Sequence, residues 1–331
     1  MDLFKAVVVK DVQGEVEFGI ENISISDLSK GEVLIKVSYS SINYKDSLAV
    51  KTKGGVINKY PMIAGIDLSG IVVSSSTDKF KEGQHVLVTG FEVGMTHTGG
   101  FSEYARIPAE WIVPLPEGLS LKDSMIIGTA GFTAGLSVLA LEKMGMASNK
   151  EARILVTGST GGVGSLALQI LKKSGYTNIT ALTRKSDQTN MLKDLGADNV
   201  VTLADIELDK PRPLAKQKYH YVIDTVGGEL ISTIIPQIYY GGSISICGNA
   251  GGIKFSTTVL PFILRGINLL GIDSVNYPME ERYEIWSKFG KEWSISSDAF
   301  TNKVTLKQLA ETFNSLQMGT HLGRTIVEIG E

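Results

Sequence analysis

The residues of this chain whose types and spacing could do chemistry are concentrated at 154–164, Ile-Leu-Val-Thr-Gly-Ser-Thr-Gly-Gly-Val-Gly. A short apolar run ends in a glycine-dense turn, and helix-like sequence (Ser165–Ser174) follows at once. Glycine has no Cβ, so backbone N–H groups in such a turn can come within hydrogen-bonding range of a diphosphate. The helix start adds unpaired N–H donors and the positive end of the helix dipole. Gly158, Gly161 and Gly164 fall in a G-x-x-G-x-x-G spacing, slightly different from the G-x-G-x-x-G dinucleotide fingerprint.

The next strand-like run, Asn178–Leu182, ends in Thr183-Arg184-Lys185-Ser186. Sites for NAD place an acid about 20 residues past the glycines, on the ribose 2′-hydroxyl. Here the first acid is Asp187, beyond two cations. An acid would repel a 2′-phosphate, whereas Arg184 and Lys185 attract one, and Thr183 or Ser186 can add hydrogen bonds. NADPH is the cofactor this pattern predicts. Two solvated cations on a surface loop would be the plainer reading, and the upstream glycines favour the phosphate.

The elements that must position these groups change character along the chain. Residues 1–120 read as β-rich, with strands predicted at Leu3–Val9, Val33–Ser41, Leu68–Ser74 and His85–Val88. Pro114, Pro116 and Gly118 mark a boundary. Apolar spacing over 121–145 predicts two helices around Gly128-Thr129-Ala130-Gly131. From Arg153 strand-like runs (153–157, 178–183, 199–202, 220–224, 243–247, 267–272) alternate with helix-like segments, which predicts an α/β fold with a doubly wound parallel sheet. A final helix (Leu306–Leu316) and strand (Thr325–Ile329) close the chain.

Composition is that of a globular enzyme. The 331 residues suggest two domains, and 43% hydrophobic content gives ample core. A net charge of −3 offers no general attraction for nucleic acid or an anionic membrane. No apolar run near the roughly 20 residues of a membrane span stands out, and Met1–Lys5 lacks a secretory core. The single cysteine, Cys247, excludes an internal disulfide and a thiolate zinc cluster. Cytoplasm is the expected compartment.

Several blocks in one order carry a resemblance over essentially the whole chain. They are Ser41-Ile42-Asn43-Tyr44-Lys45-Asp46, Pro61-Met62-Ile63-Ala64-Gly65-Ile66-Asp67, Gly99-Gly100-Phe101-Ser102-Glu103-Tyr104 and 125–134. The glycine turn, Ile223-Asp224-Thr225-Val226-Gly227, Pro261–Arg265 and Gly271–Val275 also match. In these the chain resembles the medium-chain dehydrogenases/reductases, in the zinc-free quinone-oxidoreductase branch with its YhdH/YhfP-like, acrylyl-CoA reductase-like group. The resemblance implies a GroES-like partial β-barrel at 1–122 and 298–331, with a Rossmann NADPH-binding domain inserted at 123–297. It also implies a homodimer paired through the edge strand near Asn268–Gly271.

Zinc-dependent relatives hold metal with a cysteine, a Gly-His-Glu histidine and a further Cys or acid. Here those positions read Asn43 and Gly65-Ile66-Asp67, and the four histidines are dispersed, so no metal is expected. His97 is read as a loop residue that could also approach substrate. A conjugated acceptor suits a site without a Lewis acid: hydride goes to the β carbon, charge collects on the carbonyl oxygen, and a proton reaches the α carbon. The resemblance places Tyr44 near the nicotinamide, as hydrogen-bond partner or proton relay, with a structural tyrosine as the alternative. Asn43 and Asp46 share its turn, and Asp46 could equally cap N–H groups. Further cofactor contacts implied are Thr129, Thr133, Ser159, Thr160, Gly161, Gly162, Val163, Gly248, Asn249 and Arg324, the last with a salt bridge as its rival role. The acceptor is a short 2-enoyl-CoA or a quinone. A low-turnover NADPH-binding sensor or scaffold is the reading from a different class.

Overall fold

The computed structural model describes residues 3–206, 212–295 and 300–330. Its first eight strands are β1 (Phe4–Val12), β2 (Glu15–Ile23), β3 (Val33–Ser41), β4 (Met62–Ile63), β5 (Asp67–Ser75), β6 (His85–Thr89), β7 (Tyr104–Ile107) and β8 (Val113–Pro114). Six more follow as β9 (Ile154–Val156), β10 (Ile179–Thr183), β11 (Asn199–Thr202), β12 (Tyr219–Asp224), β13 (Ile238–Ile246) and β14 (Asn268–Gly271). The last are β15 (Thr301–Thr305) and β16 (Arg324–Glu328). The helices used below are α1 (Tyr44–Ala49), α2 (Leu121–Lys143), α3 (Gly162–Lys173), α4 (Thr189–Asp194), α5 (Glu229–Ile234), α6 (Leu260–Arg265) and α7 (Met279–Gly290).

Two compact units emerge, Met1–Thr129 with Val275–Lys291 and Ser296–Glu331, and Ala130–Ser274 with Glu292–Ile295. In the first, a seven-stranded sheet runs β15-β16-β3-β5-β6-β8 with β7 also on β3, beside a three-stranded β2-β1-β4 sheet. Val7, Ile35, Leu68, Phe101 and Val327 meet in its core. The second unit is a parallel sheet in the order β11-β10-β9-β12-β13-β14. That is the doubly wound order whose chain reversal, beside β9, opens a ligand crevice at the strands' carboxyl ends. Leu155, Val222 and Ile244 fill its interior.

The units divide at Thr129/Ala130, and Val275–Lys291 groups with the first unit. The reason is local. Arg282 of α7 is fully buried, donates to the Thr89 carbonyl at 2.8 Å, and lies 4.7 Å over the Phe91 ring, which stacks on Trp111. The expected boundary at 297/298 lies outside the described residues.

Other differences also have physical causes. Strand β2 was not predicted: three glutamates and Gly19 dilute its pattern, and it pairs only with β1. Strand β13 starts at Ile238, not 243, because Gly241-Gly242 read as a break yet form part of an irregular register against β12. The expected absence of a long apolar stretch is corrected by α2. Its 23 residues are long and apolar enough to cross a membrane, but 83% of its most apolar window is buried inside the protein. It is a core helix, and Lys122, Asp123, Glu142 and Lys143 near its ends mask the run in the sequence.

Candidate cofactor and catalytic sites

In the second unit, Ile154–Val156 has the burial of a central strand, and Gly158 (φ +59°) turns the chain toward α3. A Cβ on Gly158 would lie 2.4 Å from the Thr225 hydroxyl, so only glycine fits. The Ser159 hydroxyl is turned inward, donating to the Val156 carbonyl at 2.7 Å, and Thr160 is buried. Gly161 caps α3 with no side-chain acceptor, and the first amide to find an acceptor at the helix start is Ser165, which donates to Gly161. Among the described residues the N–H groups of Gly162, Val163 and Gly164 thus have no acceptor at an uncapped helix start, as an anion site requires. The residues present fit a diphosphate.

At the end of the neighbouring strand β10, Thr183 is buried and its hydroxyl accepts the Lys185 N–H at 2.9 Å, which shapes the turn. Arg184 is exposed and Lys185 half-buried. Burial, and then the Arg184 charge, push the Lys185 ammonium below its usual range. Two cations held together at that cost are a place where an added anion is stabilising. Gly248 is half-buried after β13, and Asn249 is exposed. Thr133 is buried, donating to Ser274 at 2.7 Å. Cys247 donates to the Asp224 carbonyl, and burial pushes its thiol up to about 12.

In the first unit, strand register gathers a second cluster. Ile326 pairs with Ser41 and Tyr39 with Ser69, which carries Arg324 toward Asn43 and Asp67 toward Ser41. Asp67 is fully buried and accepts from Ser41 Oγ (2.5 Å), Asn43 Nδ2 (2.8 Å), Thr129 N (2.9 Å) and Thr129 Oγ1 (2.5 Å). Arg324 is 3% exposed and donates to the Ile126 and Ile42 carbonyls (2.9 and 3.1 Å), Asn43 Oδ1 (3.2 Å) and Ser41 Oγ (2.9 Å). Acid and base are thus joined through Ser41 and Asn43. Helix α2 breaks at Gly128 (φ 52°, ψ −161°), where a Cβ would meet Ser41, Arg324 and Asp67 within 2.7 Å. The Asp67 carboxylate accepts the N–H freed by that break, a favourable place for an anion at a helix start.

Asn43 is the N-cap of α1, and Asp46 returns the bond to the Asn43 N–H at 2.7 Å and takes the Ile66 N–H at 3.0 Å. Sequence reasoning left Asp46 between orienting Tyr44 and capping N–H groups, and the bonds shown here are of the capping kind. Tyr44 is half-buried, and its phenol has no hydrogen-bond partner among the described residues. The site residues sequence reasoning missed are Ser41 and Asp67 as ligands of Arg324 and Thr129. No local signal marks them, because strand pairing alone brings them together. His97 is fixed by two carbonyls, Thr98 at 3.1 Å and Lys30 at 3.0 Å, and packs edge-on against Trp111.

Burial, then the neighbouring Asp67 charge, push the Asp46 carboxyl up to about 7, against the backbone N–H bonds that pull it down. A raised acid holds its proton in the folded chain after the unfolded chain has released it. Its contribution to stability is therefore complete below about pH 4 and lost as pH rises through about 7. Asp46→Asn should flatten the fall in melting temperature between pH 4.5 and 7.5. An unchanged slope in thermal scans would exclude Asp46 as its source.

Residues 29–117 match the alcohol dehydrogenase GroES-like domain family, and residues 162–292 the zinc-binding dehydrogenase family. The chain is 42% identical over 329 residues to the Bacillus subtilis protein named "Putative quinone oxidoreductase YhfP", covering 99% of both chains. It is 40% identical over 330 residues to acrylyl-CoA reductase AcuI of Ruegeria pomeroyi, again 99% of each. The chain belongs to the medium-chain dehydrogenase/reductase family, in its zinc-free branch. Its fold matches the yhdH oxidoreductase of Salmonella enterica in complex with NADP (TM-score 0.94, 40% identity, 98% and 100% covered). It matches Bacillus subtilis yhfP with NAD bound equally well (TM-score 0.95, 41% identity, 99% and 100% covered). This medium-chain dehydrogenase/reductase thus combines a GroES-like domain with a Rossmann-type domain. The metal implied by the wider family does not fit its residues. Asn43 is bonded to both Asp67 and Arg324, and among the described residues no three His, Cys, Asp or Glu side chains group as ligands.

Proposed function

We propose that this dehydrogenase/reductase is an NADPH-dependent, zinc-independent reductase of a conjugated acceptor, the C=C of a short 2-enoyl-CoA such as acrylyl-CoA. The observation that carries the cofactor choice is the Arg184–Lys185 pair at the end of β10, beside the uncapped start of α3. Full-length identity to an acrylyl-CoA reductase supports the acceptor. Residues 1–122 and 298–331 serve as the substrate domain and 123–297 as the nucleotide domain. Residues 158–164, Gly248 and Asn249 hold the diphosphate and ribose, Thr183, Arg184 and Lys185 the 2′-phosphate, and Thr133 the nicotinamide side.

Bound NADPH supplies a hydride for the β carbon of the acceptor. Tyr44, whose phenol has no hydrogen-bond partner among the described residues, binds the nicotinamide or moves a proton toward the α carbon. Asn43, Asp46, Thr129 and Arg324 act by holding the Tyr44 turn, since Asn43 bonds both Asp46 and Arg324 and Thr129 joins it through Asp67. The exposed Lys51, Lys53 and Lys59, near α1, suit the phosphates of a CoA ester. Tyr44→Phe should lower kcat or weaken NADPH binding at least tenfold in steady-state assays. Unchanged kinetics and affinity would remove Tyr44 from the site.

NADPH oxidation measured side by side with acrylyl-CoA, crotonyl-CoA and a benzoquinone tests the assignment. Thioester preference supports it, and preference for the benzoquinone supports the second reading, NADPH:quinone oxidoreduction, which identity to YhfP favours. Binding without oxidation of any acceptor would mark a sensor or scaffold instead. The working form in this reading is a cytoplasmic homodimer. Strand β14 is the open edge of its sheet, and the apolar side chains of Val259, Ile263, Leu264 and Leu269 lie exposed around it. Sedimentation at micromolar concentration should show twice the 35.7 kDa chain mass. A monomer would end the dimer assignment.

A further inference from the structure

One buried acid of the second unit is untouched by the chemistry above. Asp224 ends β12, the strand beside β9, and is fully buried. The pairing of Ile223 with Val156 brings it level with Thr157, the residue that opens the glycine turn. Its Oδ1 accepts from Thr157 Oγ1 at 2.7 Å, and its Oδ2 from the Gly227 N–H at 2.8 Å. Thr225 completes the stitch: its N–H donates to Thr157 Oγ1 at 3.0 Å and its hydroxyl to the Thr157 carbonyl at 2.8 Å. The same short segment holds the loop after β13. The Asp224 carbonyl accepts the Cys247 N–H at 3.0 Å, the Val226 carbonyl accepts the Gly251 N–H at 2.7 Å, and Gly227 bridges to Gly252. Contact is close enough that a Cβ on Gly158 or on Gly248 would run into Thr225.

We infer that Asp224, acting through Thr157, is a positioning residue for the cofactor: it holds the diphosphate turn and the Gly248–Asn249 loop in one frame at the carboxyl edge of the sheet. The inference rests on the NADPH reading above. Burying a carboxylate costs stability, and here that cost is offset by one hydroxyl and the backbone N–H groups of Val226 and Gly227. A carboxylate that only filled space would be replaced without loss by an apolar side chain. One that aligns two loops shows its effect when a ligand spans both.

The test separates the diphosphate turn from the rest of the domain. NADPH uses the turn, whereas adenosine 2′-monophosphate carries the 2′-phosphate but no diphosphate. Thr157→Val should raise the NADPH Kd at least tenfold and leave the adenosine 2′-monophosphate Kd within twofold, both by calorimetry. Thr157→Ser, which keeps the hydroxyl, should restore NADPH binding. Asp224→Asn, which turns an amide donor toward a backbone N–H, should behave like Thr157→Val. If either substitution prevents folding, Thr225→Val removes one stitch without touching the acid and carries the same expectation. Equal losses for both ligands, or NADPH affinity unchanged in all variants, would overturn the inference. A wild-type chain that fails to bind NADPH would instead overturn the cofactor reading.

Discussion

Arg324→Met should cost the first unit about 3–5 kcal/mol, because it leaves the buried Asp67 charge without its compensating cation and strips two backbone carbonyls and Asn43 of their donor. For a unit of this size that corresponds to a fall of roughly 6–20 °C in melting temperature by scanning calorimetry. Arg324→Lys should recover little, since an ammonium offers three donors from one point where the guanidinium reaches four partners in different directions. A loss confined to NADPH affinity, with melting unchanged, would return Arg324 to the role of direct cofactor ligand that the resemblance implied.

Arg184→Ala is expected to act on the ligand and not on the fold. The side chain is exposed, so stability should barely change. Losing a charge-assisted hydrogen bond of roughly 1.5–3 kcal/mol to the 2′-phosphate should weaken NADPH about 10- to 150-fold. NADH, which lacks that group, should bind as before. Fluorescence titrations with both cofactors read the difference directly, and equal weakening would refute the phosphate assignment. The yhfP structure with NAD bound makes the NADH arm informative, because a relative at 41% identity accommodates the smaller cofactor.

Sequence made the nucleotide half legible because its determinants are local. A buried strand, a glycine with positive φ and an uncapped helix start follow one another within 154–173, and each leaves a residue-level trace. The first-unit cluster was only half legible. Asn43 and Asp46 are neighbours in one helix cap, but Asp67 and Arg324 reach them through antiparallel pairing across 24 and 281 residues. Such register depends on which strands meet, and no short window encodes that. Gly128 shows the same limit. Its sequence predicts a junction between helices, whereas the cause is three polar side chains arriving from distant strands to occupy the space of a Cβ.

Alkenes conjugated to a carbonyl alkylate thiols, and only the ionised sulfur reacts at an appreciable rate. This chain carries a single cysteine, and burial pushes its thiol up to about 12, which disfavours the reactive form at neutral pH. A lone thiol held protonated would offer such alkenes little to modify.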